Sequence, residues 1–266
     1  MDTQALKIAV IGGGNMGGAI VRGMATGKLV PDENITVSDI NHNTLVRLKE
    51  VSPKLNTTES NLAAIENADI IILAVKPWLI GEVADEIKKK VNFKRQIIVS
   101  IAAGVDFNTL SIFFSDEAVM FRIIPNTAIE ISQSVTVIAS RNATRQQEEL
   151  IFTLFRETGK VFFVPEKQLG AFTSLSSCGI AFAFRYIRAA MEGGVEMGIY
   201  PEVAREVILQ TLRGAIELLE SNGSHPEVEI DKVTTPGGIT IKGLNEMEAN
   251  GFTTAVIKGL KASHTN

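Results

Sequence analysis

The chain has 266 residues, enough for one large domain or two modest ones. Its 26 basic and 30 acidic side chains give a net charge of −4, and hydrophobic residues make up 45% of the sequence. This composition is typical of a globular protein and excludes disorder as a description of the whole chain. Because the basic residues are scattered, we expect small-molecule partners and no nucleic acid.

Residues that form disulfides or bind metals are scarce. A single cysteine, Cys178, cannot form an intramolecular disulfide, and the three histidines are well separated. We therefore expect a cytoplasmic protein without a metal site. The first apolar run, residues 8–11, is too short for the core of a signal peptide, and no run of 18 apolar residues predicts a membrane span.

Short β-branched runs alternate with helical patterns as far as residue 164. The runs are apolar throughout, as burial on both faces of a parallel sheet requires. The predicted strands cover 7–11, 35–39, 70–75, 96–101, 119–124, 135–139 and 161–164, and the predicted helices cover 15–25, 44–51, 61–66, 78–90, 107–114 and 145–157. This alternation predicts an α/β fold with a Rossmann-type, doubly wound and mostly parallel sheet.

After Pro165 the sequence predicts helices only, at 166–197, 201–221, 236–249 and 252–262. We therefore predict a dinucleotide-binding domain over 1–164 and an all-α domain over 165–266. Helix 166–197 carries two apolar stripes about 120–140° apart. One consists of Ile180, Phe184, Ile187 and Met191, and the other of Phe172, Leu175, Phe182 and Tyr186. The second stripe predicts a homodimer or larger homo-oligomer, whereas the central helix of a monomeric bundle is the alternative.

The first strand runs directly into a glycine loop that precedes a helix. Gly12, Gly14 and Gly17 match G-x-G-x-x-G in the strand-turn-helix context of dinucleotide binding. Gly12 permits the tight turn, Gly14 the approach of a pyrophosphate, and Gly17 close packing of the helix on the strand. The helix start, at Asn15 and Met16, offers free N–H donors to the phosphates. A tight turn without a ligand is the alternative.

The second predicted strand ends at Asp39, which lies 39 − 17 = 22 residues beyond the last glycine of the pattern. A carboxylate at this spacing accepts a hydrogen bond from the adenosine ribose 2′-hydroxyl. It favours NAD over NADP, because a 2′-phosphate would meet like charge. The alternative is that Asp39 caps the helix that begins near Asn43.

Ligands of open α/β sheets bind beyond the carboxyl ends of the strands, so the next turns along the chain are also predicted to contact the cofactor. Asn126, after the strand at 119–124, offers a carboxamide to the nicotinamide amide or, alternatively, forms a Pro-Asn turn. Pro77 also suits the first turn of a helix. The predicted contacts from the intervening turns are Ala74, Val75, Lys76, Pro77, Ala102 and Ala103.

One segment of the helical half has the features of an anion site. Pro236 at a first helical turn, followed by Gly237 and Gly238, exposes backbone donors that suit a small carboxylate. The hydroxyls of Thr235 and Thr240 flank these donors and can reach the same ligand. A capped helix without a ligand is the alternative.

Together, these segments resemble the pyrroline-5-carboxylate reductase family over essentially the whole chain. The most specific match is the last one, because dinucleotide folds in general do not carry it. The matching segments are GGGNMGGAI, AVKP, SIAAGV, PNT, AAMEGGVEMGI, QTLRGAIELL, HPE and TTPGGITIKGL. The chain departs from the family at 124–128 and at 176–181, where relatives carry Met-Pro-Asn-Thr-Pro and Ser-Gly-Ser-Gly-Pro-Ala. Asn41 and Asn43 stand where many relatives have Arg, so the choice between NADH and NADPH stays open.

The resemblance implies NAD(P)H-dependent reduction of 1-pyrroline-5-carboxylate to L-proline, the last step of proline biosynthesis. It implies that the backbone of Gly237 and Gly238 holds the substrate carboxylate and that the Thr240 hydroxyl, the catalytic group, bonds the imine nitrogen. The helical domain would dimerise and complete the active site. A reductase of a related cyclic imine and a catalytically silent NAD(P)H sensor are the alternatives.

The proton donor is not evident from the sequence. No ionisable acid is evident beside Thr240, so the imine either binds already protonated or takes its proton through water. His225 is interpreted as a helix cap and packing residue rather than an acid. Cys178 and Trp78 are interpreted as packed side chains.

Overall fold

A computed structural model describes residues 3–26 and 29–264. These residues form two compact units, the first reaching Ser177 and the second covering Cys178–His264. The first unit holds the sheet and the second is helical. Residues 165–177, which follow the last strand, belong to the first unit. The domain boundary between 164 and 165 therefore stays a prediction.

Eight strands form one sheet in the order β3-β2-β1-β4-β5-β6-β7-β8. They are β1 Ile8–Ile11, β2 Ile35–Ser38, β3 Asn56–Thr58, β4 Ile70–Leu73, β5 Ile97–Ser100, β6 Met120–Ile124, β7 Ser134–Arg141 and β8 Gly159–Phe163. All neighbouring strands are parallel except β6 and β7, which are antiparallel. The predicted Rossmann-type, mostly parallel sheet is confirmed, and the chain reverses its direction of progress across the sheet between β1 and β4.

The helices of the first unit cover both faces of the sheet. They are α1 Asn15–Thr26, α2 His42–Val51, α3 Asn61–Ile65, α4 Ile80–Ile87, α5 Phe107–Phe113, α6 Arg145–Arg156 and the single turn α7 Leu169–Phe172. One buried cluster includes Ile20 of α1 and Phe155 of α6. The other includes Ile80 of α4 and Leu110 of α5. The sheet therefore lies between two apolar layers, which explains why its strands are apolar throughout.

Side-chain caps begin several of these helices as the sequence would suggest. The Asp106 carboxylate accepts a hydrogen bond from the N–H of Thr109 at 2.8 Å, and Thr144 and Gln147 form a reciprocal capping box. Such caps satisfy N–H groups that have no acceptor within the helix. They fix where each helix starts after its strand.

Strand β3 was not predicted because it is short and polar. Its three residues, Asn-Thr-Thr, lie at the edge of the sheet and carry no apolar run. The connection from β6 to β7 is also short, a 3₁₀-helix at Thr127–Ile131, and so joins antiparallel rather than parallel neighbours.

The second unit contains five α-helices, α8 Gly179–Glu196, α9 Pro201–Asn222, α10 Pro226–Val233, α11 Ile239–Ala249 and α12 Phe252–Ala262. The predicted helices at 201–221 and 252–262 correspond to α9 and α12. Helix α10 was not predicted as a separate element. In the described part of the chain, none of the helices combines the length and apolar character that a membrane crossing needs.

The prediction of one continuous α-helix over 166–197 was wrong. A 3₁₀-turn at Glu166–Gln168 and α7 lead into a π-helix at Thr173–Cys178, and α8 follows. Hydroxyls in this stretch bond backbone carbonyls four residues earlier, as Thr173 does to Leu169 at 2.7 Å, and this competes with regular helix geometry. A π-helix does not keep the 100° per residue of an α-helix, so the assignment of Phe172 and Leu175 to one stripe with Phe182 and Tyr186 stays a prediction.

Candidate active site

The glycine loop makes a close turn between β1 and α1. Gly12 has φ +99°, and a Cβ on it would lie 2.7 Å from the carbonyl oxygen of Ala74. A Cβ on Gly17 would lie 1.9 Å from the carbonyl oxygen of Gly12. Gly12 therefore permits the turn and its approach to the residue after β4, whereas Gly17 permits α1 to pack on the turn.

The outer part of the same loop is open. Gly14 and Asn15 are exposed, and a Cβ on Gly14 would meet no atom within 4 Å. The N–H groups of Asn15 and Met16, in the first turn of α1, have no acceptor within the helix. These residues fit a pyrophosphate, which needs backbone donors and close approach at a helix N-terminus.

The Asp39 carboxylate lies at the carboxyl end of β2 and faces the glycine loop. Its Oδ2 accepts a hydrogen bond from the Gly13 N–H at 2.8 Å, and its Oδ1 accepts one from the Asn41 N–H at 2.8 Å. The cap of α2 is Asn41, whose side chain accepts from the Asn43 N–H. The interpretation of Asp39 as the cap of that helix was therefore wrong.

The turns after β4 and β5 lie at the same edge of the sheet as the glycine loop. The Ala74 N–H donates to the Ile11 carbonyl at 2.8 Å, which fixes the Ala74–Pro77 turn beside β1. Lys76 is exposed, and Pro77 begins a 3₁₀-helix. Trp78 is 76% exposed, so its interpretation as a packed side chain was wrong.

The turn after β5 has one buried and one exposed member. Ala102 is buried, and its N–H donates to the Ser100 hydroxyl at 3.3 Å. Ala103 is exposed, and Gly104 has φ +79°. This turn ends at Asp106, the cap of α5.

The Asn126 side chain is buried and bonded within the first unit. Its Oδ1 accepts from the Ala128 N–H at 3.1 Å, and its Nδ2 donates to the Ser176 carbonyl at 3.3 Å. These bonds agree with the Pro-Asn turn alternative, although the second hydrogen of Nδ2 is left for another acceptor. Sequence reasoning did not link Asn126 with Ser176, which are 50 positions apart with no signal of contact between them.

The predicted helix at 236–249 begins at Ile239, so Pro236 precedes the helix instead of opening it. The Gly238 N–H donates to the Thr235 carbonyl at 2.9 Å, and Gly237 has φ +72°. A Pro-Gly pair with this bond and this φ is a type II turn. The turn places the first N–H groups of α11, without acceptors inside the helix, at Ile239 and Thr240.

The residues of this turn are accessible within the second unit. Thr235, Gly237 and Thr240 are exposed, and Gly238 is half-buried. A Cβ on Gly238 would lie 2.6 Å from the Thr235 hydroxyl oxygen, so only glycine fits there without displacing that side chain. Backbone donors and hydroxyls therefore belong to one short segment.

His225 is an exposed helix cap. Its Nδ1 accepts from the Glu227 N–H at 3.3 Å at the start of α10, which confirms the capping interpretation but not the packing one. Cys178 is half-buried.

The carboxyls with shifted pKa values do not supply a proton donor. Bonding to Lys232, then to Ser224 and Asn222, lowers the pKa of Glu229 to about 2. Bonding to the hydroxyl and backbone of Thr109 lowers the pKa of Asp106. Both groups are charged at neutral pH and so have no proton to give. Across residues 3–26 and 29–264, no cluster of three or more His, Cys, Asp or Glu side chains could hold a metal ion.

The strand order and the glycine loop define a Rossmann-type dinucleotide-binding protein. Residues 166–266 match the family model for pyrroline-5-carboxylate reductase dimerisation. Residues 7–104 match the model described as NADP oxidoreductase, coenzyme F420-dependent. The two models therefore match separate parts of the chain, one in the sheet-containing unit and one that covers the helical unit.

Similar proteins are found over the full length of the chain. Pyrroline-5-carboxylate reductase 3 of Danio rerio is 35% identical, over 98% of this chain and 90% of the relative. The Methanosarcina acetivorans reductase is 34% identical, over 99% and 98%. Pyrroline-5-carboxylate reductase 1 of Dictyostelium discoideum is 37% identical, but this chain spans only 48% of its length. The chain belongs to the pyrroline-5-carboxylate reductase family.

Solved structures of the family have the same fold. The Plasmodium falciparum pyrroline carboxylate reductase with NADP bound has a TM-score of 0.91 at 26% identity, with 98% of this chain and 96% of that one covered. The Streptococcus pyogenes 1-pyrroline-5-carboxylate reductase has a TM-score of 0.87 at 28% identity, with 98% and 97% covered. The expected fold, family and NAD(P)H cofactor are confirmed.

We predict that two alanine substitutions in the glycine loop affect different properties, one the stability of the protein and the other its binding of NADH. Gly17→Ala forces a methyl group against the Gly12 carbonyl and should lower the free energy of unfolding by about 2 kcal/mol or more. Gly14→Ala meets no protein atom and should leave stability unchanged, but weaken NADH binding about tenfold or more. Urea denaturation and calorimetric titration with NADH measure the two effects. Equal stability of the two variants would contradict the packing role of Gly17.

Proposed function

We propose that this chain reduces 1-pyrroline-5-carboxylate to L-proline with NAD(P)H, the last step of proline biosynthesis. The observation that carries the proposal is the full-length similarity to proteins named for this activity. The similarity covers both the glycine loop and the turn at 235–238 that leads into α11, called the α11 turn below. The cofactor supplies the hydride when it is bound. The work of the protein is to hold the two reactants and exclude water.

The first unit supplies the cofactor contacts in this proposal. The N–H groups of Gly14, Asn15 and Met16 bind the pyrophosphate, since they lie at the open side of the loop. Asp39 has a lone pair left on each oxygen after its backbone bonds and accepts from the adenosine ribose. The turns after β4, β5 and β6 border the nicotinamide half, with Ala74, Val75, Lys76, Pro77, Ala102, Ala103 and Asn126 as the proposed contacts.

The α11 turn supplies the substrate contacts. Because the Gly238 N–H is bonded to Thr235, we assign the carboxylate to the N–H groups of Gly237, Ile239 and Thr240. Gly238 contributes by permitting the turn. The Thr235 hydroxyl lies beside Gly238 and completes the set of donors.

The Thr240 hydroxyl bonds the imine nitrogen. Hydride arrival at carbon turns an imine or iminium nitrogen into an amine, and a neutral hydroxyl can donate to or accept from either form. Because no ionisable acid is evident beside Thr240 in the sequence, the proton comes with the bound iminium or through water.

We propose a homodimer or an assembly of dimers in the cytoplasm. The match of residues 166–266 to a dimerisation model supports the oligomer, as does Phe184, which is 60% exposed on α8. The single cysteine supports a reducing compartment.

Turnover of 1-pyrroline-5-carboxylate with NADH and NADPH tests the function directly. Proline formation with either cofactor is expected. Reduction of a six-membered cyclic imine but not of the five-membered one would favour the related reductase. Cofactor binding without reduction of either imine would favour the sensor.

The first prediction from this proposed function concerns cofactor preference. Asp39 repels a 2′-phosphate, and no Arg follows β2 at positions 41 or 43, so NADH should be at least as good a donor as NADPH. The measurement is kcat/KM for each cofactor. If kcat/KM for NADPH exceeds that for NADH about tenfold or more, which corresponds to about 1.4 kcal/mol in favour of NADPH, Asp39 does not select against the 2′-phosphate.

Assembly is the second prediction. The protein should sediment as a dimer or larger at micromolar concentration, and Phe184→Glu should give a monomer with little activity, because it places a charge on an apolar contact surface. Phe182, which is 39% exposed on the same helix, is the alternative contact residue, and Phe182→Glu should give the monomer if that side of the helix faces the partner. A single 28.7 kDa species for the wild type would contradict the dimer.

The role of Thr240 is the third prediction. Thr240→Val keeps the shape and removes the hydroxyl, so kcat/KM should fall about tenfold to several hundredfold, with NADH affinity nearly unchanged. Thr211→Val, at an exposed threonine of α9, is the matched control and should leave kcat/KM unchanged. If Thr240→Val stays within about threefold of the wild type, the hydroxyl has no part in the reaction.

A further inference from the structure

Two hydrogen bonds join the end of β2 to the glycine loop, one at the last residue of the strand, Ser38, and one at the next residue, Asp39. The Gly12 N–H donates to the Ser38 carbonyl at 2.7 Å, and the Gly13 N–H donates to the Asp39 carboxylate at 2.8 Å. The first bond is backbone to backbone and any side chain would keep it. The second depends on the Asp39 side chain alone.

The Asp39 carboxylate is itself held in place. Its Oδ1 accepts from the Asn41 N–H at 2.8 Å, and the Asp39 N–H donates to the Thr58 carbonyl of β3 at 3.3 Å. Rotation of the carboxylate away from the loop would therefore break both of its bonds to backbone N–H groups. Gly13 is buried, so its N–H has little access to water as a replacement acceptor.

Gly13 and Gly14 have different surroundings. A Cβ on Gly13 would lie 3.0 Å from Leu48 and 3.0 Å from Thr44, both on α2, whereas Gly14 is open. The Gly13 N–H is thus bonded to the protein, whereas Gly14 is exposed. A pyrophosphate can therefore approach Gly14 but not Gly13.

We propose that Asp39 is a positioning residue for the glycine loop, holding Gly13 so that the donors from Gly14 onward present to the pyrophosphate. This inference rests on the proposed function, which supplies the dinucleotide. Asp39 then has two roles: its charge selects against a 2′-phosphate, and its bond to Gly13 supports binding of either cofactor. Replacing Asp39 to admit NADPH therefore also weakens the site for the pyrophosphate.

An NADH analogue that lacks both hydroxyls of the adenosine ribose separates the two roles. With this analogue Asp39 has no ribose hydroxyl to bond, so any effect of the side chain acts through the protein. Asp39→Ala should weaken analogue binding about fivefold or more, measured by calorimetry. If Asp39 acted only through its contact with the ribose, Asp39→Ala would leave analogue binding unchanged. If it acted only by charge repulsion, the variant would bind the analogue more tightly. Either of those two results would overturn the proposal.

Asp69→Ala is the matched control. Asp69 also accepts from a backbone N–H, that of Lys7 at 3.0 Å, but at the opposite end of β1 from the glycine loop. This variant should bind the analogue as the wild type does. A loss in both variants would assign the effect to general destabilisation and overturn the positioning role.

Hydrogen exchange in the wild type makes the test independent of how the variants fold. The Gly13 amide should exchange at least about tenfold more slowly than the exposed Gly14 amide in the cofactor-free protein. Equal exchange rates would overturn the proposal. Proline formation by the wild type tests the proposed function separately, so turnover combined with an unchanged analogue affinity in Asp39→Ala would refute the positioning role only.

Discussion

The close approach of the β1–α1 turn to the residue after β4 is the constraint on which the site depends. Gly12 lies against the Ala74 carbonyl, and Gly17 lies against the Gly12 carbonyl, both at distances that no Cβ would tolerate. Helix α1 is therefore packed directly on its own turn at the point where the strand order reverses. The same contacts that bury the inner glycines leave Gly14 open to a ligand.

The sequence predicted the sheet well because the strands are buried on both faces. An apolar run such as Ile70–Leu73 is buried at all four residues, and burial on both faces is what an unbroken apolar run in a strand indicates. Strand β3 escaped detection for the same reason, since an edge strand of three polar residues is held by hydrogen bonds to β2 and not by burial. Its pairing with Ser38 nevertheless shapes the end of β2, where Asp39 lies.

Two errors in the helical half came from local hydrogen bonds that the helical period does not report. Pro236 was placed inside a helix, whereas Pro-Gly in a type II turn uses the positive φ of Gly237 and delays the helix to Ile239. In the π-helix at Thr173–Cys178, side-chain hydroxyls bond to backbone carbonyls of the preceding turn and so compete with regular α-helix geometry. In both places the helical period predicted a helix, but local hydrogen bonds changed its start or its type.

The π-helix lies where the chain departs from the family pattern, and it bonds to the turn after β6 that is predicted to contact the cofactor. Where relatives carry Gly-Pro, this chain has Gly179 and Ile180, and Ile180 keeps the N–H that proline lacks. The segment is helical at every residue from Glu166 to Glu196. The Ser176 carbonyl accepts from Asn126, and the Ser177 hydroxyl donates to the Pro125 carbonyl at 3.4 Å. The changed segment thus bonds the turn that follows β6, so its sequence and the position of Asn126 are physically coupled.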